Sequence, residues 1–368
     1  GNLKNCTYKN SVMKECLEVF YNPIFKEKLD TNPRLLGLQN GILEFPDDKT
    51  YTFRPGRPED YISAQLPISF YEFRESDEEV QKVYKILEQL YADKSVYKYA
   101  LDIFSDILVG GNKQKEVYVC TGDGDNGKSI QIMFFEKMLG KLCIKMNTNV
   151  ITGKKPSAGS AFADLARAGG GTRLLVFEEP DADEAINAGI VKHLSGGDSF
   201  FARDLFEKGK DTREIVPLFK MFFICNKLPR VRGADKAFWN RIRVVPYEST
   251  FCRPSNPAPE KIEQQMLEKR FPMDKTLSQK IPTMLSPFLW ILLQHRKNIT
   301  CRVEPEKVIS ATRIYQKQND VYRQFIEESI IEDKEKTIRM VDLYEIFKAW
   351  FRDSMPGQSV PIKGEVED

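Results

Sequence analysis

Gly122-Asp123-Gly124-Asp125-Asn126-Gly127-Lys128-Ser129 is an intact G-x-x-x-x-G-K-[ST] stretch, and its flanks decide how it is read. A short apolar run, Glu116 to Cys120, precedes it, and Ser129 to Leu139 follows with helical character, stopping at Gly140. Strand, glycine-rich turn and helix form the context in which this spacing grips phosphate. The glycines permit a tight turn, so that successive backbone amides and the helix N-terminus face phosphate oxygens. In that frame Lys128 reaches the β- and γ-phosphates of ATP, and the Ser129 hydroxyl ligates Mg²⁺. A chance match inside a glycine-rich turn is the bland alternative, and the flanking strand and helix weigh against it.

Working outward, Arg173-Leu-Leu-Val-Phe-Glu178-Glu179 has the layout of a buried strand delivering two carboxylates to a sheet edge. One acid can hold Mg²⁺, and the other can orient or deprotonate an attacking water. Asp181 and Asp183 follow in a polar turn and read as N-terminal caps of the next helix. A further apolar run, Leu218 to Cys225, ends on Asn226, a residue able to bond the attacking water or the γ-phosphate. Beyond it, Arg241 and Arg243 enter another strand-like run, and either can stabilise charge on a transferring phosphoryl group, including from a neighbouring subunit. Between the acidic and Asn226 strands, in the segment that opens at Lys192, two strand-like pieces flank a tip of Glu207 to Asp211, which reads as a β-hairpin carrying Lys208 and Lys210. Those lysines can grip a nucleic-acid backbone, although a charged tip is commonly only a solvated turn.

The rest of the chain sets bounds. It has 368 residues, 41% hydrophobic and 29% charged, and a formal charge of +2. That is an ordinary folded composition, and any DNA-binding surface must be a local cluster. No apolar run approaches the roughly 20 residues of a membrane span. The seven cysteines are odd in number and form no CxxC pair, which reads as reduced thiols. With only two histidines a zinc site is not expected. Gly1 opens no signal-peptide pattern, and the chain reads as a fragment of something longer.

Four segments are expected: an N-terminal helical or collar domain at 1–98, an α/β core with a central sheet at 99–253, a helical connection at 254–300, and a mainly helical region at 301–368. Helices are expected over Glu79 to Tyr91, Ser95 to Leu108, Val308 to Ile330 and Met340 to Phe351, from apolar residues recurring every three or four positions.

The order of these elements resembles superfamily 3 helicases, which are hexameric AAA+ motors of viruses and plasmids. Gly196-Gly197-Asp198, Asn226-Lys-Leu-Pro229 and Trp239-Asn-Arg-Ile-Arg-Val-Val-Pro246 are most similar to the primase-helicases of nucleocytoplasmic large DNA viruses, the poxvirus and asfarvirus kind. The resemblance implies an AAA+ core, ATP and Mg²⁺, single-stranded DNA as partner, a homohexamer, and action at the viral replication site in the host cytoplasm. It implies a primase domain upstream and a truncated, winged-helix-like C-terminal region. By position, Glu178 and Glu179 serve metal and water, Asn226 senses the γ-phosphate, Arg241 is a finger supplied in trans, and Lys208 and Lys210 track DNA. Relatives often carry two adjacent arginines where this chain has Asn240-Arg241, so the finger is Arg241 or Arg243. A small-molecule P-loop kinase and a DNA-binding assembly module with an idle ATP site are the rival readings.

Overall fold

Five short runs carry the centre of the molecule: β1 (Val117–Thr121), β2 (Cys143–Met146), β3 (Leu174–Phe177), β4 (Lys220–Cys225) and β5 (Ile242–Pro246). They form one sheet in the order β5-β1-β4-β3-β2, with every pairing parallel. The computed structural model describes residues 6–22, 24–153, 163–180, 184–202, 213–331, 333, 335–355 and 360–364. Parallel strands have both faces covered, which explains the continuous apolar runs within β1, β3 and β4; in β5 Arg243 interrupts the run. β2 is not expected from the sequence, because it is only four residues long and the half-exposed Lys145 interrupts its apolar positions.

Side chains alternate across a strand, and here the alternation divides the sheet between two cores. Tyr118, Cys120, Leu174, Val176, Phe222 and Val245 point to one face. Val117, Val119, Leu175, Phe177, Met221, Phe223, Ile242 and Val244 point to the other. Six helices complete the layers: α1 (Glu78–Leu90), α2 (Lys94–Ile107), α3 (Lys128–Leu139), α4 (Ala188–Ser195), α5 (Leu277–Asn298) and α6 (Glu306–Gln318). Residues of α1, α2, α3 and α5 fill the first core, while α4 and Tyr315 of α6 belong to the second.

The local signals are physical. In α1, Val80, Val83, Leu87 and Leu90 are buried at three- and four-residue spacing, and Glu78 and Glu79 sit in the first turn, where the helix dipole favours them. α2 begins after Asp93, whose carboxylate accepts the amides of Ser95 and Val96. The expected junction at 98/99 falls inside α2, and apolar residues on both sides of it share the first core. Residues 35–54, within the segment expected to be helical, form an antiparallel meander of Leu35–Leu38, Gly41–Glu44 and Thr52–Arg54.

Two expectations need correcting. The helix expected over Val308 to Ile330 is two helices, α6 and Val321–Ser329. The chain breaks at Asn319-Asp320, because Asn319 Oδ1 accepts Val231 N at 2.8 Å and the Asp320 carboxylate caps the second helix through Arg323 N at 3.0 Å. Asn187, not an aspartate, caps α4, accepting from Gly189 N and Ile190 N, and Asp181 and Asp183 lie outside the described residues. Among the described residues, no helix is long and apolar enough to cross a membrane.

Phe222, 1% exposed at the centre of the sheet, meets Tyr118 at a ring-centroid distance of 5.3 Å, and Phe104 and Phe135 at 6.4 Å. Phe222→Ala is expected to lower stability by about 3–5 kcal/mol, read from urea unfolding followed by circular dichroism. A loss below about 1 kcal/mol would place the stability of the sheet elsewhere.

Candidate nucleotide site

All five strands run the same way, so their C-terminal ends share one edge, and the glycine-rich loop leaves that edge from β1. Gly127 is the N-cap of α3 with φ +82°. A Cβ built there would lie 2.2 Å from Leu90 Cδ2 and 2.8 Å from Phe251 Cε2. Glycine is therefore required both by conformation and by space. Asp125 also adopts a left-handed conformation, with φ +58°. It is held by its carbonyl, which accepts Phe251 N at 2.7 Å, and by an ion pair with Arg253 at 2.9 Å. Asp123, Gly124 and Asp125 are among the more accessible residues of the loop, so its outer surface is open to a ligand.

Lys128 turns back under this loop. Its Nζ donates to Gly122 O at 2.5 Å and to Asn226 Oδ1 at 3.0 Å. Burial pushes its ammonium below the usual lysine range. Asn126 is buried, and its Nδ2 meets no acceptor among the described residues.

The acidic pair divides its work. Glu179 accepts Asn226 N at 2.9 Å and Lys227 N at 3.0 Å, tying the end of β3 to the end of β4. Thr121 Oγ1 donates to Asn226 O at 3.3 Å, which joins β1 to the same point. Lys128, Glu179 and Asn226 thus form one connected cluster. Glu178 turns the other way, toward Lys145 of β2 at 3.5 Å, and Lys145 also pairs with Glu136 of α3 at 3.1 Å. Sequence reading missed Lys145 and Glu136; only recognition of β2 as a strand would have found the lysine. Among the described residues no cluster of three or more His, Cys, Asp or Glu side chains forms a metal site. The hard oxygen donors at this edge, Ser129 and Glu178, match an ion that takes one or two protein oxygens and completes its shell with phosphate and water.

Arg241 and Arg243 lie at the opposite edge. Arg241 O accepts Val117 N at 2.8 Å, at the start of β1, and Val117 is roughly 13 Å along the strand from Thr121. The two arginines differ sharply. Arg243 is tied down by Glu304 and by Glu116 at 3.5 Å, and donates to the carbonyls of Asn240 and Ile242 at 2.9 Å each. Arg241 donates to Ala237 O, its Nε has no partner, and no carboxylate lies within ion-pair distance of it among the described residues.

Of the expected hairpin, a stem is present: Phe200–Ala202 pairs antiparallel with Arg213–Ile215, with Ala202 opposite Arg213, whereas Lys192–Ser195 belongs to α4. Phe200, Ala202 and Ile215 anchor it in the second core. Lys208 and Lys210 lie outside the described residues.

Residues 3–103 match the family described as "D5 N terminal like". The chain is 36% identical over 423 aligned positions to "Putative helicase 022R" of Frog virus 3 (isolate Goorha), covering 97% of this chain and 43% of that protein. It is 34% identical to "Putative helicase L207/L206" of Acanthamoeba polyphaga mimivirus, covering 97% and 37% respectively. It is 24% identical to "Putative primase C962R" of African swine fever virus (isolate Warthog/Namibia/Wart80/1980), covering 94% and 36%. The chain therefore spans about two-fifths of the length of these relatives. Among solved structures, the A form apo structure of the NrS-1 C-terminal region aligns over 76% of this chain and 64% of that one, at 13% identity and a TM-score of 0.42. The match of residues 3–103 to the D5 N-terminal family and the helicase- and primase-named relatives from large DNA viruses together support a D5-type primase-helicase module.

Proposed function

We propose that this chain is the ATP-driven motor of a viral replicative DNA helicase, a superfamily 3 AAA+ module that works as a homohexameric ring on single-stranded DNA. One observation carries the reading. Lys128, Asn226 and Glu179 are joined at one edge of the sheet, while Arg241, among the described residues, stands without an acidic partner at the other. A small-molecule kinase has no use for that second feature, since its site is complete within one chain.

The chemistry follows from what each group can do. The loop amides and the Lys128 ammonium bind the β- and γ-phosphates. Ser129 and Glu178 would hold Mg²⁺, which when bound neutralises charge across those phosphates. The Glu179 carboxylate, oriented by two backbone amides, retains lone pairs to hold and deprotonate the attacking water. Asn226 bridges Lys128 and the Glu179-bound turn, so a γ-phosphate that draws Lys128 away also frees the Asn226 amide oxygen. Arg241 of a neighbouring subunit supplies charge to the transition state. Lys208 and Lys210, which in sequence lie between the paired Phe200–Ala202 and Arg213–Ile215, would grip the DNA backbone.

Lys128→Ala is expected to abolish ATP hydrolysis, whereas Glu179→Gln should bind ATP and hold it uncleaved; nucleotide-binding and phosphate-release assays read both. Turnover at the wild-type rate in Glu179→Gln would move the base to another residue.

Replacing Lys208 and Lys210 with Ala should weaken single-stranded DNA binding. The salt dependence of binding should flatten by about 0.7 in slope for each DNA phosphate that is no longer neutralised. An unchanged slope in a fluorescence-anisotropy titration would return the hairpin tip to a solvated turn.

Arg241→Ala is expected to bind ATP yet lose roughly 10³–10⁵-fold in hydrolysis. Mixing it with Lys128→Ala should recover part of the ATPase, because some sites then pair an intact loop with an intact arginine, and dilution below the assembly concentration should remove the recovery. Arg243→Ala should instead lower the melting temperature, because it removes an internal ion pair. Normal hydrolysis by Arg241→Ala would end the trans mechanism.

A further inference from the structure

The N-terminal part of the chain presses directly on the glycine-rich loop. α1 ends at Leu90, whose Cδ2 leaves no room for even a methyl group on Gly127. The next residue, Tyr91, is 5% exposed, and its hydroxyl donates to Gln131 Oε1 in the first turn of α3. The Tyr247 hydroxyl completes the chain by donating to Tyr91 Oη. Gln131 is 1% exposed, and its Nε2 meets no acceptor among the described residues. Among those residues the Tyr91 hydroxyl is therefore the one side-chain group found on that amide. Gln131 N in turn donates to Gly127 O at 3.1 Å, which closes a circuit from α1 through Gly127 and Gln131 back to α1.

We infer that Leu90 and Tyr91 are positioning residues for nucleotide binding, acting through Gly127 and Gln131 to hold the first turn of α3, and with it the loop amides and Lys128. The inference rests on the phosphate-binding reading of the loop. A loop with left-handed backbone at Asp125 persists only when its surroundings over-determine it, and Gly127 beside it has no room to shift. Phe251 supports Gly127 from one side, and Leu90 supports it from the other. The tyrosines are fixed in turn: Tyr91 packs against Tyr247 at 5.1 Å between ring centroids and against Phe104 at 6.0 Å. Burial keeps both phenols well above their ordinary pKa, so they remain neutral donors wherever the protein works. Leu90 and Tyr91 lie within the stretch matched to the D5 N-terminal family. On this inference that region is a working part of the nucleotide site.

The test uses the full chain and two substitutions that each remove one buried hydroxyl, Tyr91→Phe and Tyr247→Phe. Affinity for a fluorescent ATP analogue is measured beside the melting temperature without nucleotide. Tyr91→Phe should weaken binding about 5- to 10-fold, the worth of a buried hydrogen bond. Tyr247→Phe, whose hydroxyl reaches Gln131 only through Tyr91, should change affinity less than about twofold. Its melting temperature should nevertheless fall by a similar amount. In a second series, Leu90→Ala should weaken binding, and Leu90→Met, which restores volume, should recover most of it. Equal affinity losses in the two tyrosine variants, or unchanged affinity in Tyr91→Phe or Leu90→Ala, would overturn the inference while leaving the site intact. A wild-type chain that binds no nucleotide would overturn the phosphate-binding reading as well.

Discussion

An ammonium group taken largely out of water must be answered by oxygens, and the architecture of this edge of the sheet follows from that demand on Lys128. Its Nζ is met by a carbonyl of its own loop and by Asn226 Oδ1 from the neighbouring strand. Asn226 is in turn fixed by the Glu179 carboxylate, through its backbone amide, and by the Thr121 hydroxyl, through its carbonyl. Three strand ends are thus held in register by polar groups converging on one cation. An unpaired charge at this depth would cost far more than any one of these bonds contributes. On the proposed reading, a stronger anionic partner such as a phosphate would draw the lysine away from these protein oxygens.

The polar cluster works because the sheet beneath it is rigid. Parallel pairing aligns Thr121 with Cys225 and Pro246, so small offsets in one strand pass to its neighbours. Alternation places aromatic rings of β1 and β4 against α2 and α3 on one face and a second apolar layer on the other. The opposite edge is secured by a different device. Lys220 is 2% exposed, pairs with Asp106 at 3.3 Å and donates to Gly111 O at 2.8 Å. Arg243 reaches Glu116, which also binds Arg302 at 2.9 Å. These buried pairs consume Arg243 in holding β5, and Arg241, two residues away, is left out of them.

Much of this is legible in the sequence because the decisive features are local. A glycine-rich loop between strand and helix, apolar runs ending in acids or Asn226, and the apolar periodicity of α1 and α2 all lie within short windows. What escapes depends on distance in the chain. β2 becomes a strand only through pairing with β3, and nothing in Cys143–Met146 announces it. The meander at 35–54 is the exception, being local: Asn40-Gly41 between two apolar runs signals its first hairpin, and the helical reading of 1–98 passes over it. A boundary at 98/99 is a reasonable reading of the change in texture along the chain. Yet Leu90 and Tyr91 meet Gly127, Gln131 and Tyr247, and a hydrogen bond between positions 91 and 247 has no signature in either segment. The choice between Arg241 and Arg243 is open in the sequence for the same reason: the acids that distinguish them, Glu116 and Glu304, come from elsewhere.

If the chain is the proposed motor, the two edges of the sheet constrain how it can assemble. Lys128 and Arg241 belong to opposite ends of adjacent strands, and no rotamer of an arginine spans the length of the strand between them. If Arg241 contributes to hydrolysis, it does so at another chain's site, with the N-terminal edge of one sheet facing the C-terminal edge of the next. Such an interface joins two different surfaces and is therefore heterologous, and repeating it generates a closed ring when the rotation per subunit divides a full turn. Each chain then completes its neighbour's site and has its own completed by the chain behind it. On that reading a ring follows from the polarity of a parallel sheet that carries its phosphate-binding loop at one edge and Arg241 at the other.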